Sequence, residues 1–330
     1  MTAESMENAL IQVVARINPQ FTGIEGLKRL TGGASQESWV FLATGETNQN
    51  LVLRRVPGGR PRTASGSAVP LAVEAAVIAR AEAAGVACPH VAYELTPEND
   101  LGEGYIMEFV AGETIARKIL RDDAYADARE QLAFQCGEAL AKIHTIPSAG
   151  IEGLRTMAAG DQIESYFDLY QSFEEPRPVF ELAFRWLRDH LPGDVAPKLV
   201  HGDFRNGNLM VGPDGLRAVL DWELTHVGDP MEDLGWICVN SWRFGQSQNP
   251  VGGFGQLDDL IAGYEAGGGI AELSRIKYWE VFGTLKWGIM CMLMVSAFRT
   301  GMDTSVERAI IGRRSSETEI DLMNLLAKGN

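Results

Sequence analysis

The chain has 330 residues, 29 basic and 44 acidic, with a formal net charge of −15. Hydrophobic residues make up 45% and charged residues 22%, values of a globular chain rather than a disordered one. The acidic balance gives no counterion-release drive toward a nucleic-acid backbone and disfavours an anionic membrane surface, so neither is an expected partner.

The length is about twice a single-domain prior and predicts two lobes. From the N-terminus, Leu10, Val13, Val14 and Ile17 stand at helical spacing. Short β-prone or apolar runs follow at 40–43, 51–55 and 105–110, interrupted by an alanine-rich helix at 69–84 that Gly85 closes. Beyond Gly112 the pattern turns mostly helical, with amphipathic segments at 130–146 and 179–191. A strand-and-turn stretch lies between these and the last helices, at 198–223, where Gly212-Pro213-Asp214-Gly215 is a strong turn signal. The expected boundary puts a β-rich lobe in residues 1–108 (net −4) and a helical lobe in 109–330 (net −11).

Cys88, Cys136, Cys238 and Cys291 form no CxxC pair, which fits neither a disulfide framework nor a zinc pattern and predicts a reducing compartment. The N-terminus carries acidic residues where a secretory signal needs basic ones. The longest apolar run, 287–298, is shorter than the about 20 residues of a spanning helix and predicts a buried core helix. The expected location is the cytoplasm.

The stretch from His201 to Glu223 carries the chemistry. Asp203 follows a strand-like KLV, Asn208 stands five residues on, and Asp221 thirteen further. An aspartate on such a loop can accept a proton from an attacking hydroxyl. An amide oxygen and a second carboxylate make a hard oxygen site suited to Mg²⁺. Together they meet the needs of phosphoryl transfer, which rests on positioning and charge neutralisation. A metallohydrolase using His201, Asp203, Asp221 and His226 is the rival, but the five histidines form no HxH or HxxxH pair. A polar hairpin alone explains any one of these residues but not their joint offsets.

These residues resemble the catalytic core of the aminoglycoside phosphotransferase family, whose fold is that of the protein kinases. The H-R-D-x-x-x-x-N pattern appears as His201-Gly202-Asp203 through Asn208, and the D-F-G aspartate as Asp221 in Asp221-Trp222-Glu223. The resemblance implies an α+β, protein-kinase-like bilobal fold with the active site in the cleft. It implies Asp203 as catalytic base, Arg205 facing the transferred phosphate, Asn208 and Asp221 as metal ligands, and His201 as a brace for the loop.

Upstream, Gly32, Gly33, Ala34 and Ser35 form a small-residue loop whose backbone amides can approach phosphates. In the family a glycine loop, a basic strand residue and a helical glutamate follow in that order, which points to Arg54 and Glu74. Arginine stands where lysine is usual; it keeps the charge on a larger fork. Strand alternation turns Arg55 to the opposite face. The run at 105–110 resembles a hinge strand on which a purine rests, bonded around Glu108 to Val110.

Asp229-Pro230 reads as a helix start with Glu232 at the capping-box position, and Asp229 and Asp233 as structural. His226 is either a brace or an ordinary loop residue, and His144 a packed one. Trp236, Trp242, Trp279 and Trp287, with Met290, Met292 and Met294, read first as core and second as a floor under an apolar substrate.

The resemblance implies transfer of the γ-phosphoryl group of ATP or GTP, with Mg²⁺, to a hydroxyl of a small molecule. No A-P-E-like end follows Asp221, which disfavours a protein acceptor. Glu232, Asp258, Asp259 and Glu265 are the carboxylates available to an aminoglycoside's ammonium groups, or equally a solvated face. The tryptophan- and methionine-rich C-terminal stretch suits a partly apolar hydroxylated metabolite, such as a hydroxy acid or its thioester. A metabolic kinase is therefore expected over a resistance enzyme. The alternative from another class is a non-catalytic, pseudokinase-like nucleotide-binding module, motivated by Arg54.

Overall fold

The computed structural model describes residues 3–30, 36–59 and 68–327. Gly32, Gly33, Ala34 and Ser35 lie outside the described residues. The fold is α+β and bilobal. The chain divides into two compact units, one comprising Met1–Gly112, Ala149–Leu154 and Arg217–Thr225, the other Glu113–Ser148, Arg155–Leu216 and His226–Asn330.

The first unit is built on a five-stranded antiparallel sheet. Helix α1 (Ala3–Ile17) leads into β1 (Phe21–Arg29), β2 (Glu37–Gly45) and β3 (Gln49–Arg55); α2 (Leu71–Ala83), β4 (Val91–Glu94) and β5 (Gly104–Glu108) follow. The strand order is β1-β2-β3-β5-β4. Met6, Leu10, Val13 and Val14 on one face of α1 pack against Phe21, Phe41, Leu51, Leu53 and Ile106. Each such side chain, taken from water, contributes about 1.5–3 kcal/mol.

The strand β1 has no clear sequence signal, and its place explains why. It is an edge strand, FTGIEGLKR, with two glycines and irregular register between Phe21 and Gly23 and between Glu25 and Lys28. Edges tolerate glycine and charge that a central strand would not. The alanine-rich helix ends as its sequence predicts, at Gly85 with φ 76°.

The second unit is mostly helical. It holds α3 (Ala116–Arg121), α4 (Ala126–Ile143), α5 (Ala159–Gln171) and α6 (Pro178–Asp189), then β6 (Lys198–Val200) and β7 (Leu209–Gly212). The chain continues through β8 (Gly215–Val219) and β9 (His226–Gly228), and β9 pairs antiparallel with β6. Next come α7 (Met231–Cys238), α8 (Leu257–Ala266), α9 (Leu273–Arg299), α10 (Val306–Ile311) and α11 (Ser315–Ala327).

The apolar run at 287–298 is the C-terminal part of α9, a helix of 27 residues. By length and composition alone α9 could cross a membrane, the one such helix among the described residues. Its stretch from Ile276 to Met292 is largely buried inside the unit, and every residue of α7 is buried as well. This packing brings α7 and α9 under the loop that carries Asp203.

Candidate active site

In the second unit, β6 delivers the chain into the loop 201–208. Its turn is anchored from below by Asp233, fully buried on α7. One carboxylate oxygen accepts from the backbone N–H of His201 and the other from that of Gly202, each at 2.8 Å. His144 Nε2 lies 3.2 Å from the same carboxylate, and its Nδ1 2.9 Å from the Tyr264 hydroxyl. Burial works against the Asp233 charge, but the bonds and charges of His144 and His201 outweigh it and hold the carboxyl below its usual range. His201 is buried and its Nδ1 accepts from the Asp203 N–H at 3.2 Å, which braces the loop.

The Asp203 carboxylate is fixed by three donors. Arg205 Nε and Trp236 Nε1 donate to Oδ1, at 3.0 and 2.8 Å, and Asn208 Nδ2 donates to Oδ2 at 2.6 Å. Asn208 also donates to the Asp203 carbonyl at 3.0 Å. A carboxylate has about four lone-pair positions, so the one left open is on Oδ2. Asn208 spends its NH₂ on Asp203, and its amide oxygen keeps no partner among the described residues. Arg205 stacks over Trp242, its Cζ 4.6 Å from the ring centroid. Gly207 makes room for it: a Cβ there would stand 2.7 Å from an Arg205 terminal nitrogen, and φ is 116°.

In the first unit, Arg54 on β3 gathers three carboxylates. Its Nε lies 3.2 Å from Glu74 Oε1, and its Nη2 lies 2.5 Å from Asp221 Oδ1 and 3.9 Å from Glu223. Glu74 is 1% exposed, a partner of Arg54 rather than a solvent-facing helix residue. Burial disfavours the Arg54 charge, yet Glu74, Tyr105 and Asp221 together raise its pKa above the ordinary value. Burial raises the Glu74 carboxyl, with Arg54 opposing it. Asp221 has φ 65° and ψ 63°, a left-handed conformation uncommon outside glycine, and its Oδ2 has no partner among the described residues. Arg55 points to the opposite face and pairs with Glu37 at 3.1 Å.

On β5, the Glu108 N–H donates to His90 O and its side chain accepts from Gln49 at 2.7 Å. The Phe109 N–H donates to Asn50 O, while Val110 N–H has no backbone partner among the described residues. Of the predicted hinge residues, Glu108 therefore has its amide committed and Val110 does not.

Other sequence expectations change once packing is seen. Glu232 does not close a capping box: it is buried, accepts from Gln162 Nε2 at 2.9 Å, and lies 3.1 Å from His226 Nε2. The start of α7 is held by Asp229, whose Oδ1 accepts from Met231 N at 2.9 Å. Asp229 also bonds Arg275 and, at 2.8 Å, the Trp279 N–H. Asp258, Asp259 and Glu265 are exposed on α8. Two features beside Asp203 go beyond the sequence expectations: the hydrogen bond from Trp236, expected as core or as a floor under a substrate, and the placement of Lys286 over its ring. Trp236 passes for core because its partner is 33 positions away. Lys286 directly precedes the apolar run, and a lone charge inside GTLKWGIM was the available signal.

No group of three or more His, Cys, Asp or Glu that could hold a metal occurs among the described residues. Asn208 in the second unit and Asp221 in the first each retain a hard oxygen donor, the ligand type that Mg²⁺ takes.

Residues 26–270 match the phosphotransferase enzyme family, APH. A candidate aminoglycoside phosphotransferase from Ralstonia eutropha superposes with a TM-score of 0.73 at 22% identity, over 97% of this chain and 98% of that one. The GDP complex of aminoglycoside 2'-phosphotransferase-IIIa gives 0.64 at 14% identity, over 96% and 99%. These likenesses show the protein-kinase-like fold. In sequence, the chain is 30% identical over 200 residues to acyl-CoA dehydrogenase family member 10 of Mus musculus. That match covers 58% of this chain and 18% of the relative, so the chain corresponds to a minor part of the longer protein.

Proposed function

The chain belongs to the phosphotransferase enzyme family, and from that premise we propose that it moves the γ-phosphoryl group of ATP or GTP to a hydroxyl of a small metabolite. The observation that carries the reading is the Asp203 carboxylate, locked by three donors with one acceptor position left on Oδ2. The acceptor hydroxyl donates there. As its oxygen bonds to the γ-phosphorus, the bond from that phosphorus to the β,γ-bridging oxygen breaks, the nucleoside diphosphate leaves, and the proton passes to Asp203 Oδ2.

Arg205, placed beside the base and stacked on Trp242, faces the phosphoryl group in transit. Arg54, oriented by Glu74, holds the nucleotide phosphates together with the amides of Gly32, Gly33, Ala34 and Ser35. The purine rests at the Glu108–Val110 segment, with the Val110 N–H as the donor still available. Asn208 and Asp221 offer the oxygen donors for Mg²⁺. When bound, that ion neutralises charge on the nucleotide phosphates.

A metabolic acceptor is favoured over an aminoglycoside. A polyammonium ligand calls for converging carboxylates, and Asp258, Asp259 and Glu265 are dispersed in solvent while Glu232 is buried with its own partners. The test is a mass-spectrometric screen of pooled hydroxyl compounds, aminoglycosides and hydroxy acids included, with enzyme, Mg²⁺ and ATP or GTP. A phosphorylated product that vanishes in Asp203→Ala, with nucleotide affinity retained, is expected. Nucleotide binding without transfer to any compound would favour a non-catalytic module.

A further inference from the structure

Beside Asp203 the second unit collects donors that make no hydrogen bond, among them an ammonium whose one ion-pair partner is the Glu232 carboxylate. Lys286 is 7% exposed on α9, and its ammonium makes no hydrogen bond among the described residues. It stands 4.9 Å above the Trp236 ring, 5.9 Å from that of Tyr166, and 3.8 Å from Glu232 Oε1, beyond hydrogen-bond reach. Trp236 is the residue whose N–H holds Asp203.

The same aromatic cluster supplies two more donors. Trp242 lies 5.2 Å from Trp236 and 4.8 Å from Trp287, and the indole N–H groups of both Trp242 and Trp287 are buried without a partner. Buried donors normally find acceptors, and an ammonium at this depth is retained only against a desolvation penalty. Burial lowers the tendency of Lys286 to stay charged, but Tyr166, Glu232, Asp203 and Asp233 together raise its pKa above the ordinary value. Of the carboxylates around it, Asp233 holds the two loop amides and Asp203 its three donors, while Glu232 holds Gln162 and His226 through Oε2 and leaves Oε1 to the long ion pair with Lys286.

We propose that Lys286 is a specificity-determining residue of the acceptor site, donating to a C=O oxygen that the acceptor carries on the far side of the Trp236 ring from its reacting hydroxyl. The indoles of Trp236 and Trp242 flank the intervening apolar segment. The acceptor class is thus a hydroxylated compound with a carboxylate or neutral carbonyl several bonds from the hydroxyl. A polyammonium compound would meet Lys286 and Arg205 instead. The inference rests on the kinase reading for the role of Asp203, but it is tested by binding.

The probes are 6-hydroxyhexanoate, its N-methylamide and 1,6-hexanediol, matched in chain length and titrated by ligand-observed NMR into the full chain. For wild type, the acid and the amide should bind at least tenfold tighter than the diol. Lys286→Met should remove that difference and leave the diol unchanged, while Lys286→Arg keeps it. Loss for the acid alone points to a carboxylate, and loss for both to the shared carbonyl oxygen. Because Lys286→Met strands Glu232, the double variant Lys286→Met/Glu232→Gln is run beside it as the fold-preserving form. No preference over the diol in wild type, or a preference that survives both variants, overturns the proposal. Lys286-dependent binding with no phosphoryl transfer to any compound in the screen would sink the kinase reading and leave this one standing.

Discussion

The indole N–H of Trp236 donates to Oδ1 of Asp203 over 2.8 Å, from a helix that begins 28 residues after the aspartate. Arg205 Nε takes the same oxygen and Asn208 the other, so the N–H sets which edge of the carboxylate faces away from the loop. Trp236→Phe keeps an aromatic ring under Lys286 and removes that donor together with part of the indole volume. Hydrogen bonds to a charged group contribute about 1.5–3 kcal/mol, so kcat should fall about 10- to 100-fold. KM for the nucleotide should stay within about twofold, because no nucleotide group is assigned to Trp236. Steady-state kinetics decide it, and a rise in KM at constant kcat would contradict the positioning role.

Sequence distance accounts for what could be read and what could not. The contact of Asp203 with Asn208 was legible because the two stand five positions apart in one loop, and the direction of Arg55 because strand alternation has a period of two. The Trp236–Asp203 bond, the stack of Lys286 on Trp236 and the two amides held by Asp233 link residues 31 to 50 positions apart. No local pattern encodes them. Glu232 shows the converse failure: its spacing suits a capping box, but Gln162, 70 residues away, and His226 claim it first. The edge strand β1 was hidden because edge positions relax the composition rules that mark a strand.

The pairing of Arg54 with Glu74 should appear as a coupling energy. Arg54→Met leaves a carboxylate that is 1% exposed without its cation. Breaking a buried pair from one side costs about 3–5 kcal/mol. Arg54→Met/Glu74→Met removes both charges and should recover much of that loss. Urea denaturation of the two single variants and the double closes the cycle. Additive losses would mean that the pair does not stabilise the first unit as a pair.

Acid stability should depend on Asp233. Its folded carboxyl sits below the usual range, held there against burial by His144, His201 and the loop amides. A depressed carboxyl contributes stability that is fully present above its unfolded value, near about 3.9, and is lost as pH falls through the lower folded value. Asp233→Asn should therefore cost about 3–5 kcal/mol at pH 7. The gap to wild type should narrow below about pH 4. Denaturation curves at several pH values between neutral and acid measure it, and a gap that widens toward acid would reverse the sign argued here.

The last prediction concerns the loop itself. Gly207 has φ 116°, a region that residues with a Cβ rarely adopt, and the space its Cβ would need is taken by the Arg205 guanidinium. Gly207→Ala therefore forces a choice between backbone strain and displacement of Arg205 from Asp203 and Trp242. Strain of this kind costs about 1–3 kcal/mol. Moving Arg205 should lower kcat beyond what a change in stability explains at temperatures where the fold is intact. Arg205→Ala/Gly207→Ala discriminates the two effects. With the guanidinium already gone, the added methyl should cost only the backbone term, so the double variant's kcat should match that of Arg205→Ala. A further tenfold loss in the double variant would place the effect of Gly207 in the Asp203 loop rather than in Arg205.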